Sequence, residues 1–338
     1  MADAPRSGEC VLALDVGGTG MKGALLDRGA GVLVAERCPT PRSDGPEAVV
    51  DAIVSALRSL HRRAAERSLT VRRAGVVVPG IVDAGRALAV RSANLGWRDL
   101  PLGALLTERT GLPVTLGHDV RAGALAEVRL GAARGVRDAL FVAIGTGISA
   151  AIVHDGRLLT AGGYAGELGH LVVEPDGPRC ACGAAGCLEA VASAAGIAAA
   201  YTALTGRPVG GAADVAARLG GGHGDGNGNG NGDIDGDEAA RVVWRRAVDG
   251  LGTALTAAVT LLAPEVVVLG GGLAESGGLL LDPLRACLDR KLTFHRRPRL
   301  VTAALGDRAG CLGAGLHAWD AEDRTPASAG APAGLAAH

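Results

Sequence analysis

Aromatic residues are scarce in this chain of 338 residues, since Trp, Tyr and Phe together make up 2% of it. A core with so few large rings must be built from Ala, Val and Leu, while the 54 glycines supply turns and close backbone contacts. Such an aliphatic, glycine-rich composition is typical of α/β proteins. The chain is also long enough for two domains that each bury a core.

An excess of charge of either sign is also lacking. The formal net charge is -1, and Lys and Arg are scattered along the chain. The sequence therefore has no concentration of basic residues of the kind that binds nucleic-acid phosphates, and we expect no nucleic-acid partner. No apolar run reaches the length of about 20 residues that spans a bilayer, and the first residues show no signal-peptide pattern. We therefore expect a cytoplasmic protein with no membrane partner.

Disulfide bonds are a third expected absence, although the chain contains seven cysteines. Cys180, Cys182 and Cys187 fall within eight residues, and this spacing in a large chain without a signal sequence indicates a metal site. His170 lies shortly before them. One imidazole and three thiolates make a closed tetrahedral set, which favours a structural Zn²⁺ because no position remains for water. The other cysteines are interpreted as small buried apolar residues, namely Cys10, Cys38, Cys287 and Cys311.

The hydrophobic pattern predicts two halves that each begin with a strand, a glycine turn and a strand. VLALDV and MKGALLD flank the first turn, and ALFVAIGTGISAAIVHDG contains the second unit. This repetition suggests a duplicated nucleotide-binding unit with a ligand cleft between the halves. We predict an N-terminal α/β domain over 1–118, completed by a helix near 308–320, and a C-terminal α/β domain over 119–307 that contains the cysteine motif.

Two low-complexity segments are predicted to lie outside these domains. Residues 220–237 are predicted to form a flexible insertion, and the Ala-, Pro- and Gly-rich segment 322–338 a disordered tail. Residues 227–238 also match a calcium-binding EF-hand loop in part. Asn at its first position and glycines in place of a leading helix favour the plain loop, but an ion site stays an open alternative.

The glycine turns predict a nucleotide site. In the segment Asp15 to Lys22, Gly17 and Gly18 let backbone amides approach phosphate oxygens. Asp15, at the end of a strand, suits a Mg²⁺ ion that bridges phosphates. Thr19 adds a hydroxyl donor and Lys22 a positive charge. The further turns contain the other candidate ATP-binding residues, Gly145, Thr146 and Gly147 in the second turn, and Gly271 and Gly272 in a third turn after a buried strand.

These turns form neither a P-loop, which needs GxxxxGK[ST], nor a dinucleotide-binding fingerprint. Together, DVGGTGMK, IGTGI, ELGH and CACGAAGCLE resemble the ROK family (repressor, open reading frame, kinase) over residues from about 11 to 320. The resemblance implies the actin-like ATPase (ribonuclease H-like) α/β fold, with ATP, Mg²⁺ and structural Zn²⁺ as cofactors, and a homodimer. Family repressors carry a further N-terminal helix-turn-helix domain, and because only ten residues precede the first strand, we expect no such domain here.

The resemblance implies an ATP-dependent sugar kinase, with glucose at the 6-hydroxyl as the favoured acceptor. Asp119, between a strand and a helix, is the candidate general base, and a helix N-cap is the structural alternative. His118 stands where the family usually has Asn. An imidazole presents its donor and acceptor in a different geometry, so N-acetylmannosamine, N-acetylglucosamine, fructose and a cyclitol are alternative acceptors.

Further sugar contacts are implied by the same resemblance. Glu167, His170 and Glu189 match family positions that bind sugar hydroxyls, a task that suits carboxylates and imidazole. His170 would then serve both the zinc and the sugar, so that the metal organises the pocket. Gly80 and Asn94, on turns before the strand that leads to the base, are weaker candidates.

A catalytically silent sugar-binding sensor is the alternative from another class of function. Asp15 and Asp119 argue against it, because a binding module needs neither a magnesium carboxylate nor a general base. Turnover of ATP with a sugar distinguishes the two hypotheses.

Overall fold

The computed structural model describes residues 8–220 and 236–325. Most of the predicted insertion over 220–237, the partial EF-hand match and most of the predicted tail over 322–338 therefore lie outside the described residues. The chain forms two units: unit 1 runs to Asp119 and resumes at Cys311, and unit 2 spans Val120–Gly310.

Unit 1 is built on a five-stranded sheet of order β3-β2-β1-β4-β8. Its first three strands form an antiparallel meander, and the other two continue the sheet in parallel with the first. A small three-stranded sheet lies in the connection that follows. The strands are β1 (Glu9–Val16), β2 (Gly20–Leu26), β3 (Val32–Pro39), β4 (Thr70–Val78), β5 (Ile81–Asp83), β6 (Leu88–Ser92), β7 (Trp97–Leu100) and β8 (Val114–His118).

Two helices in the connections between these strands pack within the same unit, α1 (Pro46–Ala65) and α2 (Leu102–Thr110). The helical spacing of Val49, Ile53 and Leu57 predicts α1, and all three are fully buried. Their burial on one face against the sheet stabilises a helix that polar residues cover on its other face.

The last helix, α9 (Ala309–Arg324), continues past the predicted start of the C-terminal tail at 322. Ion pairs explain the added turn: Glu322 lies 2.7 Å from Arg72, and Asp323 lies 2.8 Å from Arg28. The alanine- and proline-rich composition gave no sign of these partners, because both arginines are distant in sequence.

Unit 2 repeats the hairpin followed by a parallel strand, in a sheet of order β11-β10-β9-β12-β13. The hydrophobic core of this unit lies between the sheet and its helices, and the long helix Gly236–Leu262 contributes many of its buried residues. The strands are β9 (Ala139–Ile144), β10 (Ile148–His154), β11 (Arg157–Leu158), β12 (Val266–Gly270) and β13 (Arg299–Thr302); the helices are α3 (Asp119–Leu130), α4 (Leu188–Ala192), α5 (Ala194–Thr205), α6 (Ala212–Gly220), α7 (Gly236–Leu262) and α8 (Gly278–Lys291).

The apolar pattern of the sequence predicts one helix from about Leu188 to Tyr201, but the structure has two helices there, because the helix is broken at Ser193. This residue has extended backbone angles, φ -71° and ψ 163°, and its side chain accepts the N–H of Gly196 at 3.0 Å. Ser193 therefore acts as the N-cap of α5.

Among the described residues, no helix combines the length and apolar character that crossing a bilayer requires.

Candidate active site

The first glycine turn joins β1 to β2 and is closed by its own backbone. The Gly17 N–H donates to the carbonyl of Gly20 at 3.0 Å, and a Cβ at position 17 would lie 2.9 Å from that oxygen. Thr19 is exposed, and a Cβ at Gly18 would meet nothing closer than 4.0 Å. The turn thus combines a tight, fixed backbone with open space at its tip.

Two candidate carboxylates lie at one edge of the sheet in unit 1. Asp15 is the second-last residue of β1, opposite Lys22 in the register, and Asp119 directly follows β8. The three parallel strands β1, β4 and β8 end at the same edge, where ligands bind in open α/β sheets. The structure therefore places the proposed magnesium carboxylate and the proposed base on the same side of this unit.

The side chain of His118 lies close to the carboxylate of Asp119. Its side chain is 7% exposed, and Nε2 lies 3.4 Å from Oδ1 of Asp119. In the tautomer with the proton on Nε2, the imidazole donates toward this oxygen. Asp119 is itself the first residue of α3, where the helix dipole also favours a negative charge.

Gly80 and Asn94 lie around the small sheet of unit 1. Gly80 has a φ of +106°, and a Cβ there would lie 2.2 Å from the carbonyl oxygen of Arg91. Glycine is therefore required for the packing of this turn, whatever its part in binding. Asn94 is exposed on the turn between β6 and β7.

The second and third glycine turns lie against each other in unit 2. β9 and β12 pair in parallel up to Ala143 and Gly270. Gly271 then adopts a φ of +81°, and a Cβ there would lie 2.4 Å from the carbonyl oxygen of Ile144. Nothing lies within 4 Å of a Cβ built on Gly272. The structure thus brings two of the predicted phosphate turns together and leaves the end of one open.

Glu189 contacts the second glycine turn directly. Its Oε2 accepts the backbone N–H of Ile148 at 2.9 Å, and a Cβ at Gly147 would lie 2.4 Å from the same oxygen. The break between α4 and α5 supports this contact, because the Ala194 N–H donates to the carbonyl of Gly145 at 2.9 Å. The predicted sugar-binding carboxylate and the predicted phosphate turn therefore form one assembly.

Glu167 lies near the other candidate sugar ligands of unit 2. Burial raises the pKa of its carboxyl, His170 and Arg121 act in the opposite direction, and Glu189 adds to the increase. The buried guanidinium of Arg121 donates to the carbonyl of Gly163 at 3.2 Å, on the segment that leads to Glu167. Two further predicted residues, His170 and Glu189, and the buried Arg121 thus act on one partly desolvated carboxylate.

The four predicted zinc ligands converge, with one ligand atom from each lying within 4.8 Å of all the others. The Sγ atoms of Cys182 and Cys187 are 3.6 Å apart, and Cys180 Sγ is 3.8 Å from Nδ1 of His170. In a tetrahedral site with Zn–S of about 2.3 Å and Zn–N of about 2.0 Å, neighbouring ligand atoms are about 3.5–3.8 Å apart. These two spacings match Zn²⁺ ligation, and the Cys182–Cys187 separation is too long for a disulfide of about 2.05 Å.

The imidazole of His170 faces two different partners. Nδ1 points to the thiols, whereas Nε2 lies 3.9 Å from Oε2 of Glu167. The cysteine loop is shaped by its backbone, since the Cys180 N–H donates to the carbonyl of Ala184 at 2.8 Å. A metal held here would therefore fix the orientation of an imidazole beside the candidate sugar carboxylate.

Sequence reasoning missed two residues that support the site, Thr40 and Arg121. The Thr40 hydroxyl donates to the carbonyl of Gly17 at 2.7 Å and so holds the first glycine turn. Its position between Pro39 and Pro41 was the available signal, because two neighbours fixed in φ make a defined backbone. For Arg121, a cation on the buried face of α3 was the only sign.

The comparisons with known proteins concern the family and the fold. The model of the ROK family matches residues 11–320. The chain belongs to the ROK family. The predicted family and the predicted α/β fold of the actin-like ATPase type are thereby confirmed.

Relatives of this ROK chain include sugar kinases. It is 31% identical over 310 residues to a glucokinase from Streptomyces coelicolor, covering 90% of this chain and 95% of that protein. It is 32% identical over 310 residues to an N-acetylmannosamine kinase from Salmonella heidelberg, covering 91% and 97%. A ROK family glucokinase from Streptomyces griseus, solved with glucose and AMPPNP, superposes with a TM-score of 0.73 at 30% identity, covering 92% of this chain and 99% of that one.

Proposed function

We propose that this chain transfers the terminal phosphoryl group of ATP to a hexose, with the 6-hydroxyl of glucose as the first candidate acceptor. The observation that carries the proposal is the pair of carboxylates, Asp15 and Asp119, at the edge of unit 1 where its first glycine turn also lies. The glucokinase from Streptomyces coelicolor and the glucose- and AMPPNP-bound glucokinase from Streptomyces griseus support it.

Phosphate binding is assigned to the glycine turns. Gly17, whose own N–H bonds to Gly20 within the turn, would let phosphate approach the backbone closely, and the Gly18 amide, the Thr19 hydroxyl and the Lys22 ammonium would donate to phosphate oxygens. Asp15 would hold Mg²⁺, which neutralises charge on the phosphates during transfer. In unit 2, the residues Gly145, Thr146, Gly147, Gly271 and Gly272 would contact the nucleotide.

Asp119 would act as the general base. As the sugar oxygen attacks the terminal phosphorus, its proton passes to the carboxylate, the new O–P bond forms, and the bond to the ADP oxygen breaks. The imidazole of His118, 3.4 Å away, would orient the carboxylate. Since catalysis here is mainly positioning and charge stabilisation, a fixed base contributes by both proton acceptance and orientation.

Sugar hydroxyls would be held by Glu167, His170 and Glu189. A carboxylate accepts from a hydroxyl, and an imidazole either donates or accepts. The burial that raises the pKa of Glu167 also strengthens each hydrogen bond made there. Gly80 and Asn94 complete the proposed set on unit 1.

The cluster of His170, Cys180, Cys182 and Cys187 would hold a structural Zn²⁺. Ligand spacing supports this assignment, as does a donor set that leaves no position for water. The metal would supply folding free energy to the cysteine loop and fix the imidazole of His170. We also propose a homodimer in the cytoplasm, on the family resemblance.

N-acetylmannosamine is the second candidate acceptor. The relative from Salmonella heidelberg is an N-acetylmannosamine kinase. In addition, His118 places an imidazole next to the proposed base where the family usually has the amide of Asn, so the hydrogen bonding offered to the sugar differs. N-acetylglucosamine, fructose and a cyclitol are less directly supported.

A coupled assay that measures ADP release tests these proposals. We expect MgATP-dependent turnover with glucose, and the ratio of kcat/KM values across glucose, N-acetylmannosamine, N-acetylglucosamine, fructose and inositol identifies the acceptor. Absence of turnover with every sugar, together with thermal stabilisation by one of them, would support the sugar sensor instead.

A further inference from the structure

The segment that follows β3 is bonded to the first glycine turn. The Thr40 hydroxyl donates to the carbonyl of Gly17 at 2.7 Å, and its N–H donates to the carbonyl of Thr19 at 3.2 Å. The side chain of Thr40 is 7% exposed. Prolines on both sides restrict the backbone further. The position of this segment relative to the turn is therefore fixed by the fold.

Arg42 is the cation that this segment presents. Its N–H donates to the carbonyl of Thr40 at 2.8 Å, and its own carbonyl accepts the N–H of Gly45 at 3.4 Å. The guanidinium atom Nη1 lies 4.0 Å from the place that a Cβ on Gly18 would occupy. The exposed guanidinium thus stands over the open tip of the turn.

Two other arginines of unit 1 are engaged in ion pairs. Arg63 lies 3.2 Å from Glu36, and Arg109 lies 2.7 Å from Asp51. Within residues 8–220 and 236–325, the guanidinium of Arg42 has no such pair and no hydrogen bond to protein. Its five N–H donors are available to a ligand.

The charges of the turn favour an anionic ligand. Lys22 lies opposite Asp15 in the strand register, so that their charges offset each other. Arg42 therefore adds a positive charge near the tip that this pair does not offset. A guanidinium matches the geometry of phosphate with two parallel hydrogen bonds, which an ammonium does not.

We propose that Arg42 is a phosphate ligand, which donates to the phosphate chain of the bound nucleotide where that chain meets the Gly18 amide. This inference rests on the proposed function, because it requires a nucleotide at the first glycine turn. It adds a phosphate contact from outside the turn itself.

The test compares Arg42→Ala with Arg62→Ala, a matched variant that removes an exposed arginine from α1. At saturating sugar, Arg42→Ala should lower kcat/KM for MgATP by about 10-fold or more, the effect of a lost hydrogen bond to a charged group. The KM for sugar should stay unchanged. Arg42→Lys should recover part of the loss, since lysine keeps the positive charge but lacks the planar guanidinium that makes two parallel hydrogen bonds.

Calorimetric titration with MgATP supplies a readout that does not need turnover. Weaker nucleotide binding by Arg42→Ala but not by Arg62→Ala is the expected result. Equal affinities for MgATP in both variants and the wild type would overturn the inference and leave the proposed function intact. If the wild type binds MgATP but phosphorylates no sugar, the proposed function fails and the comparison of affinities still decides the role of Arg42. A wild type that binds no MgATP would overturn both.

Discussion

Glu127 offers the clearest energetic prediction, because its buried carboxylate joins two distant segments of unit 2. The side chain is fully buried. Oε2 accepts the backbone N–H groups of Ala132 at 2.7 Å and Ala304 at 3.1 Å, and Oε1 accepts that of Leu305 at 2.8 Å. This one residue therefore satisfies three amides, at the end of α3 and after β13.

The cost of removing it follows from those three bonds. Glu127→Ala leaves three amides without their acceptor, and each buried unsatisfied group costs about 1–3 kcal/mol. Allowing for partial access of water, we expect a loss of about 4 kcal/mol in the free energy of unfolding. Glu127→Gln keeps one oxygen but turns an NH₂ group toward an N–H donor, so its loss should be about 2 kcal/mol.

Urea unfolding followed by far-UV circular dichroism measures both values. Glu275→Gln is the matched control, since Glu275 is exposed in the same unit, and it should change the free energy of unfolding by less than about 0.5 kcal/mol. A loss below about 1 kcal/mol in Glu127→Ala would refute this reasoning, because the amides would then be satisfied by water without penalty.

Four further predictions follow from the site. Cys182→Ser should lower the zinc content from about one ion per chain and reduce the melting temperature; elemental analysis and calorimetry check this, and full zinc in the variant would contradict it. Gly147→Ala should lower kcat/KM for MgATP by about 10-fold or more, because the new Cβ would lie 2.4 Å from Oε2 of Glu189; an unchanged value would show that the turn yields freely. His118→Asn should change the ratio of kcat/KM between glucose and N-acetylmannosamine, and a constant ratio would remove this residue from sugar choice. Burial raises the pKa of Cys311 to about 12, so its thiol should resist iodoacetamide until the protein unfolds; mass spectrometry of the native protein showing its rapid alkylation would contradict this.

The sequence predicted the features that depend on neighbouring residues. Gly17 and Gly18 stand between two aliphatic strands, and strand pairing there needs only a tight turn. The cluster of His170 with the three cysteines was predictable because Cys180, Cys182 and Cys187 are close in sequence, and such a spacing in a large chain is typical of a metal site. Family membership followed from the same motifs.

Features that depend on distant partners could not be predicted. Glu127 is separated from its partners Ala304 and Leu305 by more than 170 residues, and no local pattern marks it as buried. The helix is broken at Ser193, where the next residue, Ala194, donates its N–H to the carbonyl of Gly145 in the second glycine turn. The apolar spacing of the sequence continues past Ser193 and gives no sign of this break. The small sheet around Gly80 consists of strands as short as three residues, whose alternation is too brief to identify.

The most direct measurement of the central claim is the steady-state rate of Asp119→Asn and Asp119→Ala with MgATP and the preferred sugar. We predict that kcat falls by about 100-fold or more, the contribution expected of a general base, while calorimetry shows that both ligands still bind. A variant that phosphorylates sugar at a near-normal rate would contradict the assignment of Asp119 as the base.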